Sequence, residues 1–343
     1  YKKIKKLKSE NSSDIIDYLL ENGLWTYIKQ RPYDVIADPE SSPKEIFISG
    51  FDSSPLSADY DFITKNNKQT ISKAITILSK LTNGSINISL RKESDSFLRG
   101  LSDVVIHNVS GPHPSGNLST IINKVSPISK GDVIWTLNLP DLSIIGKALL
   151  GGKFSAERII ALVGSSVSNP KYIKTLIGSN ISSFIKLKEN NSRIISGNVL
   201  TGVKLESSAH VRYYSNEITA IPEGNDYDLF GWAKPMFDKF SVSRALTFSW
   251  LFPNKKYDLN TNTNGEHRAF VVTGSFEEVF PLDIYPMQIL KACMYKDLDE
   301  MEALGMYEVS PEDFALTEFI CVSKQPHQNI IREGLDLMKK EIG

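Results

Sequence analysis

One loop in this sequence places a histidine between two prolines and two glycines, a setting in which an imidazole can face a ligand or move a proton. The loop reads GPHPSGNLST over residues 111–120, and its candidate residues are Gly111, Pro112, His113 and Pro114. It follows a strand-like run and leads into residues that can start a helix. Two interpretations stay open: a rigid loop that faces a ligand or a partner, or a structural turn in which His113 bonds to the backbone.

The cysteines and histidines do not have the spacing of a metal or cluster site. A cubane iron–sulfur cluster needs four thiolates, whereas Cys293 and Cys321 stand far apart and have no third partner. We expect both to be packed thiols on helices. The five histidines show no close spacing, so we assign no metal ligand. A nucleophile elbow and a Walker loop are also absent from the sequence, and we assign no catalytic residue and no cofactor ligand.

The composition is that of a globular protein with room for two or three domains. The chain has 343 residues, of which 41% are hydrophobic, and a formal net charge of -1. A nucleic-acid-binding protein usually has a basic excess, so we expect no nucleic-acid partner. No apolar run approaches the length of a membrane span, and two cysteines fit a reducing compartment. We therefore expect a soluble, cytoplasmic polypeptide that reaches a membrane only through other chains.

Alternation of strand-like and helix-like segments predicts a layered α/β domain over residues 1–155. A capped helix is predicted over 12–23, where Gly23 ends the apolar pattern. The remaining predicted strands are 45–49, 85–90, 104–109 and 133–138, and the remaining predicted helices are 67–83 and 142–152. The chain is therefore expected to form a sheet covered by helices.

The rest of the chain changes character twice. Residues 156–205 read as a small α+β unit, with short strands around one helix near 180–187. Residues 206–280 read as β-rich, with a hairpin turn at Asn264-Gly265 and a returning strand at 267–274. Residues 281–343 read as helical. Three residues mark the predicted helix boundaries. Pro286 starts one helix, Gly305 ends another in a left-handed backbone conformation, and Ser310 is an N-cap before Pro311.

Ordered motifs along nearly the whole chain resemble one family. They are RPYDVIADP (31–39), IFISGFDSSPLSAD (46–59), GPHPSG (111–116), ALVGSSVSNPKYIKTLIG (161–178), RIISGNVLTG (193–202), LFGW (229–232), KFSVSRAL (239–246), PLDIYP (281–286), the LG..E joint (304–308), EDFAL..F.C..K (312–324) and REGLDLM (332–338). The family is the A-subunit of the Na+-translocating NADH:quinone oxidoreductase, a bacterial respiratory sodium pump. Its members begin with a further lipoyl-carrier-like segment, so the resemblance implies an N-terminally truncated chain.

The resemblance also implies a fold for each part of the chain. Residues 1–155 would form a Rossmann-like domain similar to the flavin-carrying subunit of complex I, and 156–205 a β-grasp domain of the soluble-ligand-binding type. Residues 206–280 would be a β-rich extension and 281–343 a C-terminal helical domain. Trp232 and Lys239-Phe240 are interpreted as pinning the extension to the core, with a partner-facing role as the alternative.

The same comparison implies that the flavin site has been lost. The flavin-carrying subunit has a loop of the type G-R-G-G-A-G-F-P-T-G, whose backbone N–H groups bind phosphate. The matching segment here, residues 21–26, keeps only Gly23 and has the bulky Trp25. Asp52 is kept at an acidic strand exit, but the second acidic position is Ser54. We interpret Gly23 as a helix C-cap and expect no flavin or NADH to bind.

As a member of this family the chain would be a peripheral subunit on the cytoplasmic side of the bacterial inner membrane. It would scaffold and shape the quinone-reducing end beside the membrane-embedded B-subunit, with the loop at residues 111–114 near the quinone, ubiquinone or menaquinone. Other subunits would carry FMN, FAD, riboflavin and the iron–sulfur centres. Two alternatives stay open. One is a flavin- or nucleotide-dependent dehydrogenase module with a cofactor in the α/β domain. The other is a small-ligand-binding β-grasp protein outside respiration.

Overall fold

The computed structural model describes residues 4, 6–206, 208–225, 228–231, 233–234, 239–244, 249–272 and 274–343. In this part of the chain the strands form one sheet of six strands and one of five. The strands are β1 (Lys29–Arg31), β2 (Val35–Ile36), β3 (Glu45–Ser49), β4 (Ile86–Arg91), β5 (Val105–Val109), β6 (Ile134–Asn138), β7 (Glu157–Val163), β8 (Lys171–Leu176), β9 (Ser192–Ser196), β10 (Val203–Leu205) and β11 (Glu217–Pro222). The helices are α1 (Ser12–Glu21), α2 (Tyr60–Thr64), α3 (Lys68–Leu78), α4 (Leu118–Val125), α5 (Leu139–Gly151), α6 (Pro286–Tyr295), α7 (Leu298–Ala303), α8 (Ala315–Ile320) and α9 (His327–Ile342).

The first sheet has the strand order β2-β1-β6-β3-β4-β5. Strands β6, β3, β4 and β5 are parallel, and β1 and β2 run antiparallel at one edge. From β3 the chain passes to β4 and β5 on one side and then returns to β6 on the other. The direction of winding therefore reverses between β3 and β6, whose carboxyl ends lie side by side at Ser49 and Asn138. In open α/β sheets, ligands bind in the crevice at this point.

Helices cover both faces of this sheet, which explains why its central strands are continuously apolar. Ile46 and Ile48 of β3 pack into the cluster formed with α1, α3 and α5, whereas Phe47 packs into the opposite cluster with α4 and the C-terminal helices. Helices α3 and α5 approach so closely that a Cβ on Gly146 would overlap the carbonyl of Thr70. The helices and strands predicted for residues 1–155 are all present, with ends that differ by a few residues.

The second sheet has the order β10-β9-β11-β7-β8, with β11 parallel to β7 and its other pairs antiparallel. Its small core includes Ile160, Ile181 and Ile218. The helix predicted near 180–187 is wrong, because the chain forms only a 3-10 turn at Ile181–Ser183. The Asn180 side chain accepts a hydrogen bond from the Ser182 N–H at 2.9 Å, and such local bonds favour turns over helices.

The region after the second sheet differs from its prediction. Among the described residues from 223 to 280 there is no strand, so the returning strand predicted at 267–274 is wrong over its described part, 267–272. Asn264 does adopt a left-handed turn conformation, with φ 49°. The chain after it bonds to the helical part instead of a hairpin partner: the Arg268 N–H donates to the Ser323 carbonyl, and the Ser323 hydroxyl donates to the Ala269 carbonyl. The helical part therefore satisfies the backbone groups that a hairpin would have paired.

The three helix boundaries that the sequence predicted in the C-terminal part are confirmed. Pro286 starts α6, and Gly305 takes a left-handed conformation, with φ 89°, just after α7. Ser310 forms a capping box with Asp313 before a 3-10 turn at Pro311–Phe314 that continues into α8. In the described part of the chain, no helix is both long enough and apolar enough to cross a membrane.

The protein is therefore a mixed α/β structure with two sheets and C-terminal helices. The division into 1–155, 156–205, 206–280 and 281–343 stays a prediction. A boundary after residue 205 would place β11 in a different domain from β7, β8, β9 and β10, although these five strands form one sheet.

Candidate functional site

A cavity of about 620 Å³ lies where the first sheet, the second sheet and the C-terminal helices meet. From the first sheet it is lined by Ser49 and Asn138, at the carboxyl ends of β3 and β6. Glu217, the first residue of β11, lines it from the second sheet, and Glu312 lines it from the helical part. We call this space the junction cavity. Its size is that of a small-molecule site, and it lies at the point where the winding of the first sheet reverses.

His113 reaches the junction cavity, but its neighbours in the predicted loop do not. Gly111 and Pro112 are exposed and Pro114 is half-buried, and none of these three lines the cavity. The peptide bond between His113 and Pro114 is cis. The loop returns to the cavity at Gly116, where a Cβ would press on Ser53. Of the four predicted site residues, only His113 is therefore placed to contact something in the cavity.

The partners of His113 determine which ring nitrogen carries hydrogen. The Ser53 hydroxyl oxygen lies 3.0 Å from His113 Nδ1 and accepts a hydrogen bond from the Gly116 N–H at 2.9 Å. The hydroxyl hydrogen of Ser53 can then be donated to Nδ1, which leaves the hydrogen of the neutral ring on Nε2. Burial lowers the pKa of His113, against the opposing charges of Asp52 and Asp313, so the neutral ring is favoured. In the tautomer in which Ser53 donates to Nδ1, His113 has an Nε2–H group.

Two further side chains of the cavity wall have buried polar atoms without a hydrogen-bond partner among the described residues. Nε and Nη1 of Arg31 have no hydrogen-bond partner there. The hydroxyl of Ser54 and Nε2 of His113 also have no partner there. Arg31 is 3% exposed and Ser54 is 6% exposed. A buried donor that stays unpaired costs about 1–3 kcal/mol. These atoms are closed to solvent, and the side chains that carry them line the cavity.

Arg31 is held in place by carboxylates from two parts of the molecule. Its Nη2 lies 3.3 Å from Glu312 Oε1 of the helical part, and its Nε lies 3.8 Å from Asp34 Oδ1. Arg332 of α9 donates to the carbonyl of Tyr33 at 2.7 Å. These contacts fix the segment around β1 and β2 to the C-terminal helices, and they orient the guanidinium at the cavity wall.

The N-terminus of α5, which borders the cavity, already carries a carboxylate. Asn138 caps the helix by accepting from the Asp141 N–H at 2.8 Å, and Asp141 Oδ1 is 2.5 Å from Nη2 of the buried Arg158. A helix N-terminus at the switch point of an α/β sheet is where phosphate groups commonly bind. Here the side chain of Asp141 occupies that place.

Gly23 lies after α1 and ends it, as the sequence predicted. Its φ is +67°, its N–H donates to the Leu20 carbonyl at 3.1 Å and the Leu24 N–H donates to the Leu19 carbonyl at 2.8 Å, which together form a Schellman cap. Tyr213 and Tyr214 cover the same segment through their hydroxyls, which donate to the carbonyls of Gly23 and Thr26. The N–H groups of Gly23 and Leu24 are therefore used by the helix itself.

The other predicted features have simple outcomes. Cys293 and Cys321 are buried free thiols, as expected; Cys293 lies on α6 as predicted, whereas Cys321 lies just after the end of α8. Within the described ranges, no cluster of three or more His, Cys, Asp or Glu side chains is arranged to hold a metal ion. Trp232 lies outside the described residues. Phe240 is 41% exposed, and its ring contacts the ring of Phe319 on α8 at 5.8 Å.

Several residues of the junction cavity could not be found by sequence reasoning. Arg31 stands out in the sequence only as part of a family motif, and neither Glu217 nor Asp141 stands out at all. Asp52 and Ser54, which the sequence places at a strand exit, both line the cavity, where Asp52 Oδ1 accepts from the Ser54 N–H at 2.7 Å. The polar run after β3 is a sequence feature that could have indicated the cavity, because residues at the carboxyl ends of parallel strands lie at the same edge of a sheet.

Fold and site together define a mixed α/β protein with a polar, ligand-sized cavity at the switch point of its parallel sheet. The family description "NqrA second alpha/beta domain" matches residues 10–154, and "NQRA C-terminal domain", of the SLBB type, matches residues 159–207. The chain belongs to the A-subunit family of the Na(+)-translocating NADH-quinone reductase, as its motifs predicted.

Three relatives illustrate this membership. The A-subunit of the Na(+)-translocating NADH-quinone reductase of Neisseria meningitidis serogroup B is 35% identical over 327 residues, which cover 94% of this chain and 73% of the relative. The corresponding proteins of Alcanivorax borkumensis and Haemophilus influenzae are each 34% identical over 340 residues, covering 98% of this chain and 75% of the relative. A solved NAD+-reducing [NiFe]-hydrogenase in the H2-reduced state covers 98% of this chain and 64% of its own at 9% identity, with a TM-score of 0.48, which is too low to support an argument.

Proposed function

We propose that this chain is a peripheral subunit of a Na+-pumping NADH:ubiquinone reductase, in which it scaffolds and shapes the quinone-reducing end beside the membrane-embedded B-subunit. Membership of the A-subunit family supports this proposal. In this account the chain lies on the cytoplasmic side of the bacterial inner membrane. It holds no flavin or iron–sulfur cluster of its own, and the other subunits carry FMN, FAD, riboflavin and the iron–sulfur centres.

The observation that carries the quinone part of the proposal is the set of donors in the junction cavity. A quinone ring has two carbonyl oxygens, and each of them accepts hydrogen bonds. His113, Arg31 and Ser54 all line the cavity, and each has a buried polar atom without a hydrogen-bond partner in the described part of the chain. The volume of about 620 Å³ is within the range of small-molecule pockets. We therefore assign the head group of the quinone to this cavity.

The proposal that the chain holds no flavin rests on two features of the site. The N–H groups of Gly23 and Leu24 are used in the cap of α1, so they are not directed at a phosphate. At the N-terminus of α5 the Asp141 N–H is bonded to the Asn138 side chain, and the Asp141 carboxylate, paired with Arg158, occupies the place where a phosphate would bind. In this account the first sheet shares a Rossmann-like ancestry with the flavin-carrying subunit of complex I. The backbone groups that would bind the cofactor instead form the cap of α1 and the N-terminus of α5.

The alternative is a flavin- or nucleotide-dependent dehydrogenase module. One observation favours it: the cavity lies at the sheet position that binds nucleotides in related architectures, and Asp52 is present there. The visible absorbance spectrum of the purified chain, followed by acid extraction, separates the two functions. The proposal of a cofactor-free chain predicts a colourless protein that releases no flavin. A stoichiometric flavin band would contradict it and place the dehydrogenase module first.

A further inference from the structure

Glu217 is a buried carboxyl group at the junction between the two sheets. It is the first residue of β11 and is 4% exposed. Its Oε2 accepts a hydrogen bond from the Ala58 N–H, in the loop after β3, at 2.6 Å. The side chain also lines the junction cavity. A carboxyl group in this position joins the second sheet to the first and faces the space assigned to the ligand.

The groups around Glu217 do not supply a positive charge to pair with it. Asp52 faces it from the loop after β3, and Tyr60 faces it from α2. The guanidinium of Arg158 on β7 is occupied by Asp141 and by Asn216 Oδ1 at 2.7 Å. In the described part of the chain, Glu217 makes no ion pair within 4.0 Å. Burial, followed by the charge of Asp52, raises the pKa of Glu217 to about 8, and the Ala58 N–H only partly opposes this.

We propose that Glu217 is the proton donor to the quinone that is reduced in the junction cavity. The inference rests on the function proposed above and names a residue for it. The carboxyl group lies in the wall of the cavity and is shielded from bulk water, and a proton on it is not displaced by a neighbouring cation. Burial favours the neutral form of His113, and in the tautomer with hydrogen on Nε2 this residue would donate a hydrogen bond to the quinone.

The proton and electron balance is as follows. The quinone takes two electrons, which come from NADH through the rest of the complex, and forms two O–H bonds. One proton comes from Glu217, whose own O–H bond breaks to leave a carboxylate, and the other comes from water at the cavity mouth. Asp52 is partly exposed and lines the same cavity, so the cavity gives solvent a path to return a proton to the carboxylate.

The test compares Glu217→Gln with the control Glu206→Gln in the assembled complex. Glu206 is exposed and does not line the cavity. A general acid contributes on the order of 10²-fold or more to a rate, so E217Q should lower kcat for quinone reduction by roughly 10²-fold with little change in the KM for quinone. E206Q should behave as the wild type. Glu217→Asp should restore part of the rate, because it returns a carboxyl group.

The pH profile provides a readout that a structural role would not move. The wild-type rate should fall as pH rises through about 8, because Glu217 loses its proton there, and this fall should be absent in E217Q. The infrared difference spectrum between the wild type and E217Q at neutral pH should show a protonated carboxyl band from Glu217, whereas Glu312, whose pKa is raised to about 7, contributes to both spectra and cancels. An absent difference band overturns the proposal. If E217Q does not fold, the wild-type pH profile decides, and a flat profile near pH 8 overturns it.

The failure of this inference can be told apart from the failure of the proposed function. If a quinone analogue binds normally and E217Q keeps the wild-type rate and pH profile, then Glu217 is not the donor and the quinone assignment stands. If the wild-type complex carrying this chain binds the analogue outside the junction cavity, with no effect of cavity substitutions on affinity, both proposals are overturned.

Discussion

Asp141 and Arg158 form a fully buried ion pair, with Oδ1 of Asp141 2.5 Å from Nη2 of Arg158. The two residues are 3% and 4% exposed. Asp141 lies in the first turn of α5, under the first sheet, and Arg158 lies on β7 of the second sheet. The pair therefore links the two sheets beside the junction cavity. It also occupies the N-terminus of α5, where a phosphate would otherwise bind.

Breaking this pair should destabilise the protein strongly. Asp141→Asn leaves the Arg158 guanidinium buried with an uncompensated charge, which costs about 3–5 kcal/mol in the free energy of unfolding. Urea unfolding followed by circular dichroism measures the change. The control is Glu341→Gln, which breaks the exposed pair with Lys340 at 3.1 Å and should leave the midpoint unchanged. A midpoint for D141N equal to that of the wild type would show that the pair does not hold the sheets together.

Helix α5 offers a matched pair of glycine substitutions. A Cβ on Gly146 would overlap the carbonyl of Thr70 on α3, so Gly146→Ala should lower the free energy of unfolding by about 1–3 kcal/mol. A Cβ on Gly151, in the last turn of the same helix, would meet no atom within 4 Å. Gly151→Ala should therefore be neutral or stabilise by up to about 1 kcal/mol. Thermal unfolding of the two variants checks the close packing of α3 and α5. Equal melting temperatures would contradict it.

His327 should make stability depend on pH. It is fully buried against Phe270 and Phe276, its Nδ1 lies 2.8 Å from the Thr317 hydroxyl, and burial lowers its pKa to about 4. The unfolded chain has a histidine pKa near 6.5, so it binds the proton more tightly than the folded chain does. This contribution to stability is complete above about pH 6.5 and is lost as the pH falls toward 4, by roughly 3 kcal/mol in all.

The measurement for His327 is the free energy of unfolding as a function of pH, in the wild type and in His327→Gln. The free energy of unfolding of the wild type relative to that of the variant should decrease between about pH 6.5 and pH 5. Glu217, whose raised pKa gives a slope of the opposite sign in this range, contributes equally to both proteins and cancels in the comparison. His267→Gln, which replaces an exposed histidine, serves as the control and should keep the wild-type slope. A variant with the full wild-type slope would show that His327 is not the group responsible.

Local chemistry in the sequence predicted the ends of the helices well. Gly23, Pro286 and Gly305 have backbone requirements that only their own residue types meet easily, and these requirements show in one sequence. The central strands of the first sheet were also predicted, because strands that are covered on both faces read as continuous apolar runs. The failures were a helix near 180–187 and a strand over the described residues 267–272, where short-range patterns were overridden by local side-chain bonds and by bonds to the residues after α8.

The site was harder to predict because distant parts of the chain build it. Arg31, Glu217 and Glu312 come from three regions, and no spacing in the sequence relates one to another. The proline and glycine content of its loop indicates His113, yet Gly111 and Pro112 of the same loop are exposed and do not line the cavity. The loop could be recognised as rigid from its residues, but its approach to the cavity depends on the bond between the Gly116 N–H and the distant Ser53.

The affinity of the assembled complex for a ubiquinone analogue, measured by calorimetry, tests the central claim most directly. His113→Ala removes one donor from the cavity wall, and the loss of a hydrogen bond worth about 1 kcal/mol predicts a Kd roughly 5-fold higher. The control, His267→Ala, changes an exposed histidine that does not line the cavity, and it should leave the Kd unchanged. An unchanged Kd in H113A, with the complex intact, would contradict the assignment of the quinone head group to the junction cavity.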